Sequence, residues 1–272
     1  MRKNFRELIE RNRWLKGVPT TLTIGNSLCG FGAILYTLHV YTSSAEDTPA
    51  ILALSAFIIL LAMIFDALDG FAARLFNAAS MHGMQMDSLA DMVTFGVAPA
   101  VVVAVMAHKL RDLEGKAYYF VWIMCAVYLG CAALRLATYN VHAILEKKSS
   151  DKFYGLPSPG AAAAICSLVI IFSHYGGEHF IIVILLPIYA GILGLLMVSR
   201  IEYQHMGKWI QSIRRNPRRM IAFLLFLSLL IWRPVGVITF SINAYILSGP
   251  ISALFRVFGR LFSERRELSP SD

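Results

Sequence analysis

The sequence is poor in charge: 15% of its 272 residues are charged, whereas 57% are hydrophobic. This balance excludes an ordinary soluble domain, in which about a quarter of the residues are charged. The apolar runs are long enough to cross a bilayer as helices, which takes about 20 residues each. Because the runs are continuous rather than alternating, they favour helices over the strands of a membrane barrel. The predicted fold class is all-α, with a chain that crosses the membrane several times.

The sequence also lacks the signs of a zinc-thiolate centre, a disulfide framework and a secretory signal. Its four cysteines lie inside apolar segments without C-x-x-C spacing, so we interpret them as small core residues. Six lysines and arginines precede Gly17, which is not the pattern of a cleaved leader. Segment 1–18 is predicted to be an amphipathic helix on the membrane surface. The alternative is a solvated basic tail that only sets the topology.

Basic residues are unevenly distributed between the predicted membrane segments. With the N-terminus in the cytoplasm, 20 of the 25 lysines and arginines fall on the cytoplasmic side and four in the outer loops. The positive-inside rule then predicts that both termini are cytoplasmic, in a prokaryotic inner or cell membrane. We assign the net charge of +8 to membrane orientation and anionic lipid rather than to nucleic acid. The predicted segments are 20–41, 49–74, 88–108, 117–141, 158–174, 179–199, 219–233 and 236–255.

These eight segments divide into a core and an extension. The core is predicted to be a six-helix unit at 19–200. Residues 201–272 are predicted to form a basic loop, two further membrane helices and a cytoplasmic tail. No soluble catalytic domain, linker or internal repeat is visible in the sequence.

Four aspartates lie at the adjoining ends of the second and third predicted segments. Their spacing is D-x2-D-G-x2-A-R-x8-G-x3-D-x3-D, from Asp66 to Asp91. On helices, Asp66 and Asp69 share one face, and so do Asp87 and Asp91, so two antiparallel helix ends would bring all four together. Such carboxylates are costly near a bilayer and repel one another unless cations lie between them. Oxygen ligands suit Mg2+ or Mn2+ bridging to phosphates, so the spacing predicts a metal site.

This pattern resembles the signature of the CDP-alcohol phosphotransferase family. Members are integral membrane enzymes that move a phosphatidyl group from a CDP-linked lipid to an alcohol and release CMP. The resemblance implies that Asp66, Asp69, Asp87 and Asp91 hold Mg2+ or Mn2+, as two ions. The distribution of basic residues predicts that this site lies at the cytoplasmic membrane surface. The resemblance also implies that Asp91 acts as the base on the incoming hydroxyl. Asp91 could also be a ligand of the second metal, and the two roles are compatible.

The same resemblance implies that the CDP and phosphate groups lie against Gly70, Ala73, Arg74 and Gly83. The glycines would let the nucleotide approach the helix backbone, and a guanidinium suits bidentate contact with phosphate. The alternatives are close helix packing for the glycines and a snorkelling topology role for the arginine.

Asn26, in the first segment, resembles a family asparagine that faces the nucleotide pocket. In the family this asparagine usually follows the proline directly, whereas here Thr20 follows Pro19. Asn26 could therefore contact the nucleotide or form a hydrogen bond between helices.

Two further stretches concern the acceptor alcohol. Residues 134–141 read LRLATYNV, and residues 153–161 read FYGLPSPGA. They resemble the R-L-A-R-[FY]-N and F-x-G-L-P-S-P-A-A segments of the serine-accepting, membrane-spanning branch of the family, and LMVS at 196–199 also fits. Thr138 and Gly160 depart from that pattern, which usually has Arg and often Ala at these positions.

A buried cation in the fourth segment is consistent with an amino-acid acceptor. Arg135 has no acidic neighbour in its own segment and needs an anionic partner. It could hold the serine carboxylate or the donor phosphate, with Asn140 and Ser158 supplying nearby hydrogen bonds. The alternative is a structural partnership with helix carbonyls or with an acid elsewhere.

Together these patterns predict transfer of a phosphatidyl group from CDP-diacylglycerol to L-serine. The expected partners are these two substrates, the lipid bilayer and a second copy of the chain in a homodimer, with no nucleic acid. Another acceptor, such as glycerol phosphate, inositol phosphate or choline, stays open because Thr138 replaces the usual Arg. An ion-coupled transporter is disfavoured, since the acids cluster at one membrane face and no inverted repeat is visible.

Overall fold

The computed structural model describes residues 17–76, 80–111, 116–145, 153–175, 180–203, 228–230 and 233–267. The surface helix predicted for 1–18 therefore lies almost entirely outside the described residues. A 3-10 turn (His39–Tyr41) follows the first helix, and a π-helical segment (Met92–Val97) joins the third helix to the fourth. The helices are α1 (Val18–Leu38), α2 (Thr48–Leu75), α3 (Met81–Asp91), α4 (Ala98–Arg111), α5 (Lys116–Leu145), α6 (Ser158–Tyr175), α7 (Phe180–Val198) and α8 (Pro234–Glu267).

The chain forms two compact units, and the first contains α1 to α7. In this unit α1 packs on α2 and α3, α2 packs on α6, and α5 packs on α7. Its core includes large, fully buried side chains from five of these helices and from the π-helical segment. The largest of them are Leu52, Ile59, Phe95, Met106, Tyr128, Ile165 and Leu193. The α1 packing matters for function because it places one face of α1 against the helices that carry the aspartates.

Helix α1 shows the inverted polarity expected of a helix in lipid. Its buried face is small or polar, whereas its outward face carries large apolar side chains. The buried residues are Pro19, Thr23, Asn26, Gly30, Ala33 and Thr37. The exposed apolar residues include Ile24, Leu28, Phe31 and Leu35. A soluble helix would bury the second set, so this face is fitted to hydrocarbon.

The second unit contains a short strand pair and α8. Strands β1 (Phe153–Tyr154) and β2 (Glu202–Tyr203) pair antiparallel, with Phe153 opposite Tyr203. Gly155 follows β1 with a φ of 76°, in the left-handed region that favours glycine, and its amide donates to the carbonyl of Ile201 at 2.9 Å. The backbone conformation at this position therefore favours the glycine of the predicted acceptor stretch, residues 153–161. This pair is a small departure from the predicted all-α fold.

Five described helical stretches are long and apolar enough to cross a membrane, and two shorter ones are apolar. Seven of the eight predicted segments coincide with these stretches, whereas 219–233 lies largely outside the described residues. The third helical stretch begins at Met81 rather than at residue 88, and α8 extends to Glu267. All described membrane candidates are helical, and the number of eight spans stays a prediction. The five long stretches are Val18–Tyr41, Thr48–Leu75, Met81–Lys109, Lys116–His142 and Pro234–Arg256.

Candidate metal and nucleotide site

The end of α2 and the helix α3 bring three carboxylates to one point. One oxygen from each of Asp66, Asp69 and Asp87 lies within 4.8 Å of the others. Asp69 is buried, whereas Asp66 and Asp87 are half-buried. Helix α3 begins after Ser80, whose hydroxyl accepts a hydrogen bond from the amide of Gly83 at 3.0 Å, as an N-cap does. This start places Asp87 in the second turn of α3, opposite the α2 carboxylates.

Asp91 completes the cluster from the last position of α3. Its carboxyl lies within hydrogen-bonding reach of the carboxyl of Asp66. The side-chain amide of Asn26, on α1, donates to Oδ1 of Asp91 at 3.2 Å. Asn26 itself is fully buried. The predicted base is therefore held between α2 and α1.

Helix α1 makes a second contact with the cluster one turn earlier. The hydroxyl of Thr23 donates to Oδ2 of Asp69 at 2.9 Å and also lies 3.0 Å from the carbonyl of Pro19. A hydroxyl has one hydrogen, so these two acceptors share it. A hydrogen bond to an ionised carboxylate is stronger than one to a neutral backbone carbonyl.

The π-helical segment begins directly after Asp91 and is fixed from two sides. Thr94 donates from its hydroxyl to the backbone carbonyl of Asn26 at 3.0 Å, and Tyr128 of α5 donates to the carbonyl of Phe95 at 2.7 Å. A Cβ on Gly30 would overlap Thr94, so only a glycine lets α1 approach this closely. Single π-helical turns occur frequently at functional sites. Here the turn sets the position of the helix end that carries Asp91.

The electrostatics and the donor set of this cluster fit a hard cation. The charged groups that act on Asp66, Asp87 and Asp91 are other aspartates of the cluster. Among the described residues, Oδ1 of Asp87 and Oδ1 of Asn26 are buried without a hydrogen-bond partner. Buried acceptors without donors are rare and call for an unseen partner. Because every group here offers oxygen, the site suits Mg2+ or Mn2+ rather than a softer metal.

The structure leaves open space beside one of the predicted nucleotide residues. A Cβ on Gly70 would meet no atom of the described chain within 4 Å, so no described helix packs closely against this glycine. A Cβ on Gly83 would lie 3.1 Å from the capping hydroxyl of Ser80, a local contact rather than a contact between helices. Arg74 is exposed and donates from Nε to the carbonyl of Gly70 at 2.9 Å, while Ala73 is half-buried. Nucleotide contact at these positions stays a prediction.

The residues predicted to meet the acceptor are divided between two places. The side-chain nitrogen of Asn140, on α5, donates to the hydroxyl of Ser88 at 2.8 Å. The same hydroxyl donates to Oδ1 of Asn140 at 3.0 Å, and Ser88 follows Asp87 on α3. Arg135 donates from Nη1 to the carbonyl of Met197 at 3.3 Å, at the end of α7. Ser158 is buried as the first residue of α6. Asn140 thus reaches the acid helix, whereas Arg135 reaches a helix carbonyl.

Sequence reasoning missed three polar residues that contact the site. Thr23 binds Asp69, Ser88 binds Asn140, and Thr94 binds the Asn26 backbone. A signal for the first was present, because Thr23 and Asn26 are polar residues one turn apart on the otherwise small-residue face of α1. Ser88 and Thr94 carry no such local signal.

Comparison with known proteins gives a consistent result. A family model described as CDP-alcohol phosphatidyltransferase matches residues 16–199. The chain is 30% identical over 218 residues to the CDP-diacylglycerol--serine O-phosphatidyltransferase of Helicobacter pylori (strain J99), over 78% of this chain and 85% of that protein. It is 35% identical over 192 residues to the Bacillus subtilis (strain 168) protein of the same name, over 70% of this chain and 92% of that protein. A Saccharomyces cerevisiae protein of that name is 36% identical over 152 residues, over 54% of this chain and 51% of that protein.

Proposed function

Because the chain belongs to the CDP-alcohol phosphatidyltransferase family, we propose that it transfers the phosphatidyl group of CDP-diacylglycerol to L-serine. The products are phosphatidylserine and CMP. The observation that carries this function is the convergence of Asp66, Asp69 and Asp87, with Asp91 beside them. Serine as the acceptor is supported by the names of the similar proteins in H. pylori and B. subtilis.

In this proposal the four carboxylates have two roles: Asp66, Asp69 and Asp87 form the metal end of the cluster, and Asp91 forms the base end. Asp66, Asp69 and Asp87 would hold Mg2+ or Mn2+, and Asp91 would share a second ion. A bound cation would offset the charge of the diphosphate and stabilise the departing CMP. Asp91 takes the proton of the serine hydroxyl while that oxygen attacks the phosphorus that carries diacylglycerol. The bond from that phosphorus to the oxygen of CMP breaks.

The donor nucleotide would lie along the cluster end of α2. The open space beside Gly70 supports this placement, since a ligand can approach the helix backbone there. Ala73 and Gly83 offer little or no side chain to exclude the donor, and Asn26 offers its buried Oδ1. Arg74 would exchange its bond with the Gly70 carbonyl for a phosphate oxygen.

The acceptor would meet groups from α5 and α6. Asn140 lies next to the acid helix through Ser88, so its amide can orient a hydroxyl-bearing substrate near Asp91. Arg135 and Ser158 are proposed to bind the serine carboxylate or the donor phosphate. A different acceptor on the same scaffold is the second candidate. It is favoured by one observation, that Thr138 occupies the position at which the serine-accepting branch usually has Arg.

We further propose a homodimer in a prokaryotic cell membrane, with the N-terminus and the site on the cytoplasmic side. The excess of basic residues in the proposed cytoplasmic segments supports this orientation. The proposed core is 19–200, with a surface helix at 1–18 and two further membrane helices in 201–272, for eight spans in all. The small-residue faces of the helices would allow a second copy to pack closely.

The experiment that tests this function measures CMP release by the purified protein from CDP-diacylglycerol with a panel of alcohols. The panel contains L-serine, glycerol phosphate, inositol phosphate and choline, each with Mg2+ or Mn2+. We expect release with serine and little with the others. Release with another alcohol alone would replace the acceptor and keep the family chemistry. No release with any alcohol would overturn the transfer reaction.

A further inference from the structure

We propose that Thr23 and Asn26 of α1 are positioning residues that act on opposite ends of the acid cluster. Thr23 orients Asp69 for metal binding, and Asn26 orients Asp91 for its reaction with the acceptor hydroxyl. This inference rests on the proposed transfer reaction and extends it to a helix that carries none of the four aspartates.

Both side chains reach the cluster from the buried face of α1. Among the described residues, the side-chain hydrogen bonds that enter the cluster from outside come from Thr23, at 2.9 Å to Asp69, and from Asn26, at 3.2 Å to Asp91. The two residues are three positions apart, so they lie one above the other on a helix. One rigid helix can therefore hold two carboxylates that belong to two other helices.

Thr23 differs from an ordinary threonine in an apolar helix. Such a threonine donates to the carbonyl four residues back, as Thr37 does to Ala33 at 2.7 Å on the same buried face. Thr23 has that acceptor too, in Pro19, but its hydroxyl also meets the Asp69 carboxylate. A hydrogen bond to one carboxylate oxygen limits rotation of the group and so fixes the direction of the other oxygen. Asp69 belongs to the set of three whose oxygens converge, so this constraint acts on the metal end.

Asn26 is tied both to Asp91 and to the turn behind it. Its amide donates to Asp91, and its backbone carbonyl accepts from Thr94 two residues into the π-helical segment. Gly30 lets α1 pack directly against Thr94 of this segment. Asp91 lies outside the converging set of three, so Asn26 acts on the base end. The two positioning contacts should therefore fail in different ways.

The test compares full-length variants Thr23→Val, Thr23→Ser and Asn26→Leu with Thr37→Val as the matched control. Thr37→Val removes an equally buried α1 hydroxyl that does not touch the cluster. Two readouts are used: Mn2+ affinity of the substrate-free protein, from the electron paramagnetic resonance signal of free Mn2+, and kcat and KM for CMP release at saturating Mn2+. Removing a group that orients a metal ligand typically costs about 10- to 100-fold in affinity or activity.

We expect Thr23→Val to weaken Mn2+ binding by about 10- to 100-fold and Thr23→Ser to restore it, since serine keeps the hydroxyl. We expect Asn26→Leu to lower kcat by a similar factor while Mn2+ affinity at Asp66, Asp69 and Asp87 stays near the wild-type value. Asn26→Ser, which is smaller and polar, repeats the measurement if the leucine variant does not fold.

Two outcomes would overturn the inference. The first is a Thr23→Val variant whose Mn2+ affinity equals that of Thr37→Val. The second is an Asn26 variant that loses Mn2+ affinity as strongly as it loses kcat, which would make Asn26 part of the metal end. Failure of the proposed function is distinguishable, because wild-type protein would then bind Mn2+ and release no CMP with any alcohol.

Discussion

The acid cluster and the polar residues of α5 differ in how completely the protein satisfies them. In the cluster, Oδ1 of Asp87 has no partner among the described residues, and the charged groups that act on this carboxylate are Asp69 and Asp66. On α5, Arg135 donates to a carbonyl of α7, and Asn140 bonds with Ser88 through both ends of its amide. The cluster therefore has room in its hydrogen bonding for an external cation, whereas the α5 groups already have partners on α7 and α3 without substrate. A substrate that binds to α5 must replace bonds that already exist.

The largest expected effect is metal removal, because it acts on the unsatisfied region alone. We expect a chelator to abolish CMP release, since four clustered carboxylates without a cation repel a diphosphate. Added Mg2+ or Mn2+ should restore the activity. CMP release that persists after thorough chelation would show that the cluster works without a metal. The contrast between the acid cluster and the polar residues of α5 would then be wrong.

The next effect separates the two ends of the cluster. Asp66→Asn should weaken both metal and donor binding. Asp91→Asn should leave donor binding largely intact and lower turnover by about 100-fold or more, the scale of a lost general base. Binding of CDP-diacylglycerol and single-turnover rates measure the two quantities. If Asp91→Asn loses donor binding as badly as Asp66→Asn, Asp91 is chiefly a metal ligand.

A smaller effect is expected on α5, where the protein already supplies partners. Arg135→Gln keeps the size and polarity of the side chain and removes the charge. Losing a hydrogen bond to a charged group costs about 1.5–3 kcal/mol, so the KM for serine should rise by about 10- to 100-fold. Donor KM should stay near normal. Weakened donor binding with an unchanged serine KM would move Arg135 to the phosphate, and unchanged values for both substrates would leave it a structural bond to Met197.

The smallest effect is expected from Gly70→Ala, which tests whether the nucleotide lies at the edge of the cluster. The methyl group would meet no atom of the described protein, so stability should hold or rise by about 0.5–1 kcal/mol, as for Gly→Ala in a helix. If the nucleotide lies against this backbone, the donor KM should rise by about fivefold, equivalent to about 1 kcal/mol. Gly32→Ala, which also has open space, is the control. Equal donor KM values in the two variants would place the nucleotide elsewhere.

The convergence of the aspartates could be predicted from the sequence because the helical period places acids on one face of each helix. Asp66 and Asp69 lie one turn apart on α2, Asp87 follows on α3, and the hairpin joins them. The predicted membrane helices rest on equally local information, namely long continuous apolar runs. Where both period and composition agree, sequence reasoning reached the correct element.

The partners of these residues could not be predicted, because they depend on packing between distant segments. Thr23 resembles any threonine that bonds to its own helix, and its carboxylate partner is 46 residues away in sequence. The partner of Arg135 lies on α7, 62 residues away. The π-helical segment has the same apolar composition as the helix around it, so no local pattern marks it. Long-range contacts of this kind require the fold.

The most direct test of the central claim follows labelled L-serine into lipid. Purified protein is supplied with CDP-diacylglycerol, labelled serine and increasing Mg2+ or Mn2+, and both CMP and labelled phospholipid are counted. The account predicts equal amounts of the two products, none without a divalent cation, and almost none from Asp91→Asn. Labelled lipid formed without any divalent cation, or CMP released without incorporation of serine, would contradict it.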